Sequence, residues 1–420
     1  MKKEVSFFVS LFLFWLLFEI FLRLYHIPSL DYFLKMNQIH RFHPDYFIGL
    51  QPNTSVYIRH FSGKWEGQFS INSFGMRGTK EPDPQKRKVI CLGDSLVMGY
   101  GVSDHETFCA LLDEKFFDHG IQFLNGGIDG LGSWGAYQRL KEILSQVSNV
   151  NTVLFFVSPN DFTMPPSLLE KGFFPDDQTE EARLLQPTKR LIDTWQFVLS
   201  DYVYTLTVAK ITIKQLLLRF HLWKDTFVAT LNRWKNQNLL TTIKQSFLLE
   251  SQAVSCPQPT NTLFETIGKT YIPQEKRIFS QPKKCPEEIP EEILKECTEP
   301  PKVIPELPNF TQRVYLDMLE LTKKNQIRFV VVILPVQIEE LYCHSINRYH
   351  FLRLYALQVI RFFQKHQIEI WDLMADTPSM CQEGKWGFKD YFIPEDGHLT
   401  QLGNEWLANV LEKKLKFLIQ

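Results

Sequence analysis

The stretch KVICLGDSLVMGYGV, residues 88–102, passes from a short apolar strand into a polar turn that carries a serine. The apolar run ends at Leu92, Gly93 suits a tight turn, and Asp94 and Ser95 follow. A serine in this place either caps the next helix or acts as a nucleophile that a neighbouring base activates. The two roles are compatible, and the rest of the sequence bears on both.

Strands and helices alternate on both sides of this stretch. The predicted strands lie at 88–92, 121–125, 151–157, 327–335 and 368–374, and the predicted helices at 105–120, 133–147, 351–367 and 402–418. Such alternation indicates a parallel sheet covered by helices on both faces. We therefore predict an α/β protein, a three-layer α/β/α sandwich with a five-stranded parallel sheet.

Composition limits the kind of partner. The 420 residues include 46 Lys and Arg and 47 Asp and Glu. The charges nearly balance, so the protein as a whole has no electrostatic field that would attract nucleic acid. The 14% share of aromatic residues is typical of a packed globular protein. No C-x-x-C or His-rich spacing suggests a zinc site, and we expect no metal and no cofactor.

The first residues predict a membrane anchor. Residues 5–24, VSFFVSLFLFWLLFEIFLRL, are close to the length that a bilayer-spanning helix needs. No small-residue cleavage triplet follows, and lysines precede the apolar run, so we expect a retained single-pass anchor (1–25) with a cytoplasmic N-terminus. The remaining chain would then be extracytoplasmic, periplasmic or at the cell surface. Glu19 and Arg23, four residues apart, could pair near the outer boundary.

The predicted domain order has a neck and an insertion. Residues 26–86 form a lead-in with short strands, and residues 87–162 and 311–420 form the two halves of the main domain. Residues 163–310 interrupt it with an amphipathic helical part and then a Pro-rich tether. The helical part is either a cap on the main domain or a basic surface that rests on anionic membrane.

Seven cysteines fit an oxidising compartment. Cys91 and Cys109 fall on apolar faces and are expected as buried thiols. Among the other five, one or two disulfides can form, for example between Cys343 and Cys381, although sequence does not fix the pairing.

Four polar blocks fall where ligands bind, beyond the carboxyl ends of the predicted strands. They are Asp94-Ser95, the glycine-rich run 125–130, the run 158–161, and the run 395–398 with its histidine. A serine hydroxyl attacks an ester only when a base such as His398 takes its proton, and the base needs a carboxylate on its other nitrogen. The N–H of Ser95, the N–H of Gly130 and the Asn160 amide could supply an oxyanion hole.

The four blocks, in this order, resemble those of the SGNH/GDSL hydrolase superfamily. The resemblance covers residues 87–162 and 311–418, and the runs IGLQPN and NSFGMRG in the lead-in are similar to its membrane-anchored bacterial branch. It implies a flavodoxin-like fold with Ser95 as nucleophile, Gly130 and Asn160 as oxyanion partners, and His398 as base.

The sequence departs from the family pattern in two places. Ser158 stands where the third block usually has a glycine, and the acid usually lies three residues before the histidine, which here is Glu395. Related acetyltransferases use Asp-x-His, so Asp396 is favoured and Glu395 is the alternative acid. Asp94 is expected to support the loop through backbone N–H groups. Gly75 and Arg77 form a plain turn or shape the pocket rim.

These observations predict a membrane-anchored serine esterase or O-acyltransferase acting on O-acyl, often acetyl, groups of envelope glycans. A lipase or phospholipase-like acyl hydrolase of the same fold is the first alternative, so the expected substrate is an acylated carbohydrate or a lipid. The second alternative is a catalytically idle domain that binds glycan or scaffolds a membrane assembly.

Overall fold

The structure is a computed structural model, and it describes residues 2–25, 28–43, 45–159, 203–206, 208, 209, 212, 288–382, 385–394 and 396–418. The chain divides into two compact units, Met1–Leu34 with Leu199–Tyr271, and Lys35–Val198 with Ile272–Gln420. Most of the predicted helical insertion and Pro-rich tether lies outside the described residues.

The first unit contains one long apolar helix, α1 (Lys2–Leu24). Its residues 6–24 have a mean hydropathy of 2.1, which suits a membrane span or a signal sequence. Glu19 and Arg23 lie 2.9 Å apart on this helix. The carboxylate of Glu19 also accepts hydrogen bonds from the backbone N–H groups of Tyr204 (2.8 Å) and Thr205 (2.9 Å).

The lead-in is more regular than predicted. It begins with a second helix, α2 (Pro28–Ile39), where only short strands or a neck were expected. Two antiparallel hairpins follow: β1 (His40–His43) with β2 (Phe47–Leu50), and β3 (Thr54–Arg59) with β4 (Glu66–Ile71).

A five-stranded parallel sheet forms the centre of the second unit, and it confirms the predicted fold class. Its strands are β5 (Arg87–Leu92), β6 (Ile121–Asn125), β7 (Val150–Val157), β8 (Arg328–Ile333) and β9 (Glu369–Asp372), in the spatial order β6-β5-β7-β8-β9. Each strand agrees with its predicted range to within a few residues. The order places β5, which precedes Ser95, between β6 and β7.

Helices cover both faces of the sheet. They are α3 (Ser95–Met98), α4 (Phe108–Phe116), α5 (Ser133–Gln146), α6 (Glu291–Glu296), α7 (Asn309–Lys324), α8 (Ile338–Ser345), α9 (Leu354–Lys365) and α10 (Gln401–Lys414). Side chains of a strand alternate between the two faces, so Val89 and Cys91 pack with α4 and α10, whereas Ile90 and Leu92 pack with α5, α7 and α9. Both cores are fully apolar at these positions, as expected for a parallel sheet.

The disulfide prediction was wrong in its pairing. Cys343 is bonded to Cys297, 46 residues earlier, and not to Cys381. Cys297 directly follows α6 and Cys343 lies in α8, so the bond ties the end of one helix to the other. Cys381 is itself disulfide-bonded, and Cys91 and Cys109 are buried free thiols.

Candidate active site

The turn after β5 brings Ser95 to the carboxyl edge of the sheet. Gly93 is required there because an added Cβ would lie 2.6 Å from Val97 Cγ2 and 3.1 Å from the carbonyl oxygen of Phe156. Asp94 caps α3, and its Oδ1 accepts a hydrogen bond from the N–H of Leu96 at 3.0 Å. Ser95 is the first residue of this helix, so its own N–H has no carbonyl partner within the helix.

Ser95, His398 and Asp396 form a connected set although they lie far apart in sequence. The Oγ of Ser95 lies 2.8 Å from Nε2 of His398, and the other ring nitrogen, Nδ1, contacts Oδ1 of Asp396. Ser95 is buried, whereas the side chains of His398 and Asp396 remain 23% and 18% exposed. A serine beside a histidine that a carboxylate orients can transfer its proton during nucleophilic attack.

The charge state of Asp396 suits an orienting acid. Burial alone would raise its pKa, but the hydrogen bond to His398 and the nearby charges of that ring, His60 and Lys64 hold the pKa below its ordinary value. The carboxylate therefore stays ionised at neutral pH. It can accept a hydrogen bond from Nδ1 and stabilise the imidazolium that forms when Nε2 takes the serine proton.

Asp94 has a supporting position behind the serine. Its second oxygen, Oδ2, accepts a hydrogen bond from the hydroxyl of Ser158 at 2.7 Å. Burial raises the pKa of Asp94, although the bonds from Ser158 and Leu96 act in the opposite direction. Ser158, the residue that departs from the family pattern, thus ties the end of β7 to the turn that carries Ser95.

The glycine-rich loop after β6 lies directly against α3. An added Cβ at Gly127 would lie 2.3 Å from the backbone nitrogen of Met98, and the N–H of Ile128 donates to the carbonyl of Gly93 at 3.2 Å. Gly130 ends the loop in a left-handed conformation (φ +70°) with open space in front of it. The other predicted oxyanion residue, Asn160, and the alternative acid, Glu395, lie outside the described residues.

Two aromatic rings extend the site toward the lead-in, and sequence reasoning missed both. The ring of Tyr100 lies 4.5 Å from that of His398, centroid to centroid, and 4.8 Å from the ring of Trp65. Trp65 is fully buried and lies in the turn between β3 and β4. In the same turn, Lys64 donates to the carbonyl of Pro394, two residues before Asp396.

A cavity of about 470 Å³ lies at the carboxyl end of β8, beside the loop that carries Asp396, the acid loop. Its apolar wall includes Val336, Ile338 and Phe392, and Asp396 and Gly397 form part of its lining. Across the described part of the chain, no group of three or more His, Cys, Asp or Glu side chains could hold a metal ion.

No family model and no curated protein matches the sequence. The chain is similar to several solved esterase structures. The psychrotrophic esterase EstA from Pseudoalteromonas sp. is 12% identical, with 79% of this chain and 98% of that chain covered and a TM-score of 0.34.

A member of the lipolytic protein G-D-S-L family from Veillonella parvula DSM 2008 is 10% identical, with 79% and 99% covered and a TM-score of 0.33. A mutant of the esterase AlinE4 is 24% identical over 30% of this chain and 58% of that chain, with a TM-score of 0.17. Because these identities and TM-scores are low, the fold rests on the sheet and helices described above, and function is argued from the site alone.

Proposed function

We propose that the protein is a serine acyl hydrolase or O-acyltransferase whose nucleophile is Ser95. The distance of 2.8 Å between Ser95 Oγ and His398 Nε2 carries the proposal, since it is a hydrogen-bond distance between a nucleophile and its base. The same contact favours an active enzyme over a catalytically idle binding domain.

The reaction has two steps. The Oγ of Ser95 attacks the ester carbonyl while its proton passes to Nε2 of His398, and the tetrahedral intermediate collapses as the same proton moves to the leaving alcohol. Water or a sugar hydroxyl then attacks the acyl-enzyme, gives its proton to His398, and Ser95 recovers it on release of the acid or the new ester. The N–H groups of Ser95 and Gly130 and the Asn160 amide serve the oxyanion in both steps.

We assign the orienting acid to Asp396 and not to Glu395. The contact between Asp396 Oδ1 and His398 Nδ1 supports this choice. The depressed pKa of Asp396 supports it as well, because an ionised carboxylate fixes the tautomer of the ring.

From the resemblance to the membrane-anchored branch of the SGNH/GDSL superfamily, we infer O-acyl groups of envelope glycans as the substrate, and two features support the location that this substrate requires. The apolar helix α1 supports an anchored protein, and lysines ahead of it favour a cytoplasmic N-terminus with the catalytic domain outside. The Cys297–Cys343 disulfide supports an extracytoplasmic location, because such bonds persist in oxidising compartments.

A lipid ester is the second candidate, and one observation favours it. The cavity beside the acid loop has an apolar wall and a volume of about 470 Å³, more than an acetyl group fills. An enzyme that uses this cavity for a fatty acyl chain would prefer longer esters.

The test is ester hydrolysis by the full chain in detergent. On a chromogenic acetate ester, we expect Ser95→Ala and His398→Ala to lower kcat by at least about 10³-fold, because each removes a member of the proton-transfer pair. We expect Asp396→Asn to lower kcat by on the order of 10³-fold and Glu395→Gln to leave it roughly unchanged.

Equal rates for the wild type, Ser95→Ala and His398→Ala would overturn the proposal. A rate that rises from acetate to long-chain esters would favour the lipid substrate over the glycan. Mass spectrometry of an oligosaccharide incubated with the enzyme and the ester distinguishes the two activities. A transferase adds an acyl group to the sugar, whereas a hydrolase does not.

A further inference from the structure

Arg77, in the lead-in, is a buried cation whose donors are all engaged. Its side chain is 1% exposed, and its Nε lies 2.5 Å from Oδ1 of Asp104. The two terminal nitrogens donate to four backbone carbonyls: Met98 (3.3 Å), Gly99 (3.5 Å), Val102 (2.8 Å) and Gln68 (3.0 Å). The guanidinium also lies over the ring of Phe69, 3.6 Å from its centroid. The predicted turn is present at Gly75 (φ 68°), whereas Arg77 itself lies in β-bridges to Ile71 and Asn125.

Three of those carbonyls belong to residues 98–104, which comprise the last residue of α3 and the loop that follows it. The loop has an irregular backbone, with Gly99 and Gly101 in left-handed conformations (φ 81° and 93°), and so its carbonyls do not form a regular ladder. Buried carbonyls need donors, and the guanidinium serves all three, although the carbonyl of Gly99 also accepts the N–H of Val102 at 3.4 Å. The conformation of the loop therefore depends on Arg77.

The loop contacts both residues of the proposed catalytic pair, Ser95 and His398. The N–H groups of Gly99 and Tyr100 each donate to the carbonyl of Ser95 at 3.0 Å. The ring of Tyr100 packs 4.5 Å from that of His398. A Cβ added to Gly101 would lie 2.2 Å from Cδ1 of Ile393, in the turn that leads to Asp396.

Arg77 also holds the glycine-rich loop through its backbone. Its N–H donates to the carbonyl of Asn125 at 3.2 Å. The side-chain amide of Asn125 donates to the carbonyl of Val97 at 2.7 Å and accepts from the N–H of Gly127 at 3.0 Å. One residue of the lead-in is thus bonded to the loops on either side of the serine.

We propose that Arg77 is a positioning residue for catalysis. It fixes residues 98–104 so that Tyr100 holds the ring of His398 at hydrogen-bond distance from Ser95. The inference rests on the proposed function of Ser95 and His398. It gives the hairpin lead-in a role in the reaction beyond that of a neck between anchor and enzyme.

A second buried arginine provides a matched control. Arg139 is also 1% exposed, and it pairs with Glu142 at 2.5 Å and donates to the carbonyls of Phe74 and Gly75 in the same lead-in segment. Within the described residues, its side chain forms no hydrogen bond to residues 98–104. Loss of a buried arginine as such should affect Arg77→Lys and Arg139→Lys alike, whereas loss of positioning should affect only the first.

The experiment measures the rate at which a fluorophosphonate labels Ser95 in the full chain, together with kcat, KM and Tm. For Arg77→Lys we expect about 100-fold slower labelling and a similar loss in kcat with KM roughly unchanged, because a single ammonium cannot bind all five acceptors and a small misplacement of reacting groups is costly. Arg139→Lys should label at roughly the wild-type rate even if its Tm falls.

Two further variants keep the result interpretable if Arg77→Lys does not fold. Asp104→Asn removes the charge that holds Arg77 and should slow labelling in the same direction. If Arg77 acts through Tyr100, the effects of Asp104→Asn and Tyr100→Ala should be non-additive in the double variant.

The inference would be overturned if Arg77→Lys or Asp104→Asn were labelled as fast as Arg139→Lys. Additive effects of Asp104→Asn and Tyr100→Ala on the labelling rate would overturn it as well. Failure of the proposed function looks different, because the wild type itself would then show no label on Ser95. That outcome would remove both proposals together.

Discussion

Asp94 uses both oxygens of its carboxylate to hold the turn that carries Ser95, the proposed nucleophile. One carboxylate oxygen caps α3 through the N–H of Leu96, and the other accepts the hydroxyl of Ser158. The two bonds fix the turn from opposite sides. Because Asp94 is buried, each donor offsets part of the cost of placing a carboxylate away from water.

Replacing Ser158 should therefore weaken the fold and the site. We expect Ser158→Ala to lower the free energy of unfolding by about 1.5–3 kcal/mol, the usual worth of a hydrogen bond to a charged group, and to lower kcat with it. Urea unfolding and ester hydrolysis measure the two effects.

Ser133 is the control, because it is equally buried and its hydroxyl has no hydrogen-bond partner within the described ranges. Ser133→Ala breaks no hydrogen bond and should not lower the free energy of unfolding. A Ser158→Ala variant as stable as Ser133→Ala would argue against the role of Ser158.

The sequence pointed to Ser95, His398, Asp396 and Asp94 because each residue type has a chemical reason to follow a strand of this sheet. It did not predict the contacts that Ser158, Tyr100 and Arg77 make. Ser158 looked like the loss of a family glycine, and the other two act through contacts with residues distant in sequence. No local pattern encodes such contacts.

At the scale of elements, the strands were the most predictable part. Each is a short apolar run between turn residues, so β5 to β9 lie close to their predicted ranges. Four helices were missed: α2, α6, α7 and α8. In α8 a buried acidic residue, Glu340, falls on the inner face and weakens the apolar pattern that identifies a helix.

Glu340 makes α8 sensitive to pH. Burial raises the pKa of this carboxyl to about 7, and Arg353, 3.6 Å away, offsets the effect only in part. Because the folded state holds the proton more tightly than the unfolded state, Glu340 lowers stability as pH rises from about 4.5 to about 7. Above that range the carboxyl group is ionised in both states, and its effect on stability no longer changes with pH.

Glu340→Gln removes this titration. We expect the variant to gain stability over the wild type as pH rises, by on the order of 2–3 kcal/mol at pH ~8 relative to pH ~4. Glu339→Gln, one residue earlier, is the control and should follow the wild-type profile. Parallel urea-unfolding profiles for the wild type and Glu340→Gln across this range would rule out the assignment.

At the scale of the whole molecule, the lead-in and the sheet form one functional assembly. The hairpin of β3 and β4 supplies Trp65, which packs against Tyr100, and Lys64, which donates to the carbonyl of Pro394 in the loop that carries His398. The segment after the hairpin supplies Arg77. The Cys297–Cys343 disulfide joins α6 to α8. We infer that the protein folds and works outside the cytoplasm, where this bond is stable.

Trapping the acyl-enzyme tests the central claim most directly. The full chain in detergent is mixed with the chromogenic acetate ester and quenched in acid during turnover. The protein is then digested, and the masses of its peptides are measured by mass spectrometry. We predict an acetyl group on Ser95 of the wild type and none on the corresponding peptide of Ser95→Ala. An acetyl group on another residue, with Ser95 unmodified and turnover intact in Ser95→Ala, would contradict the account.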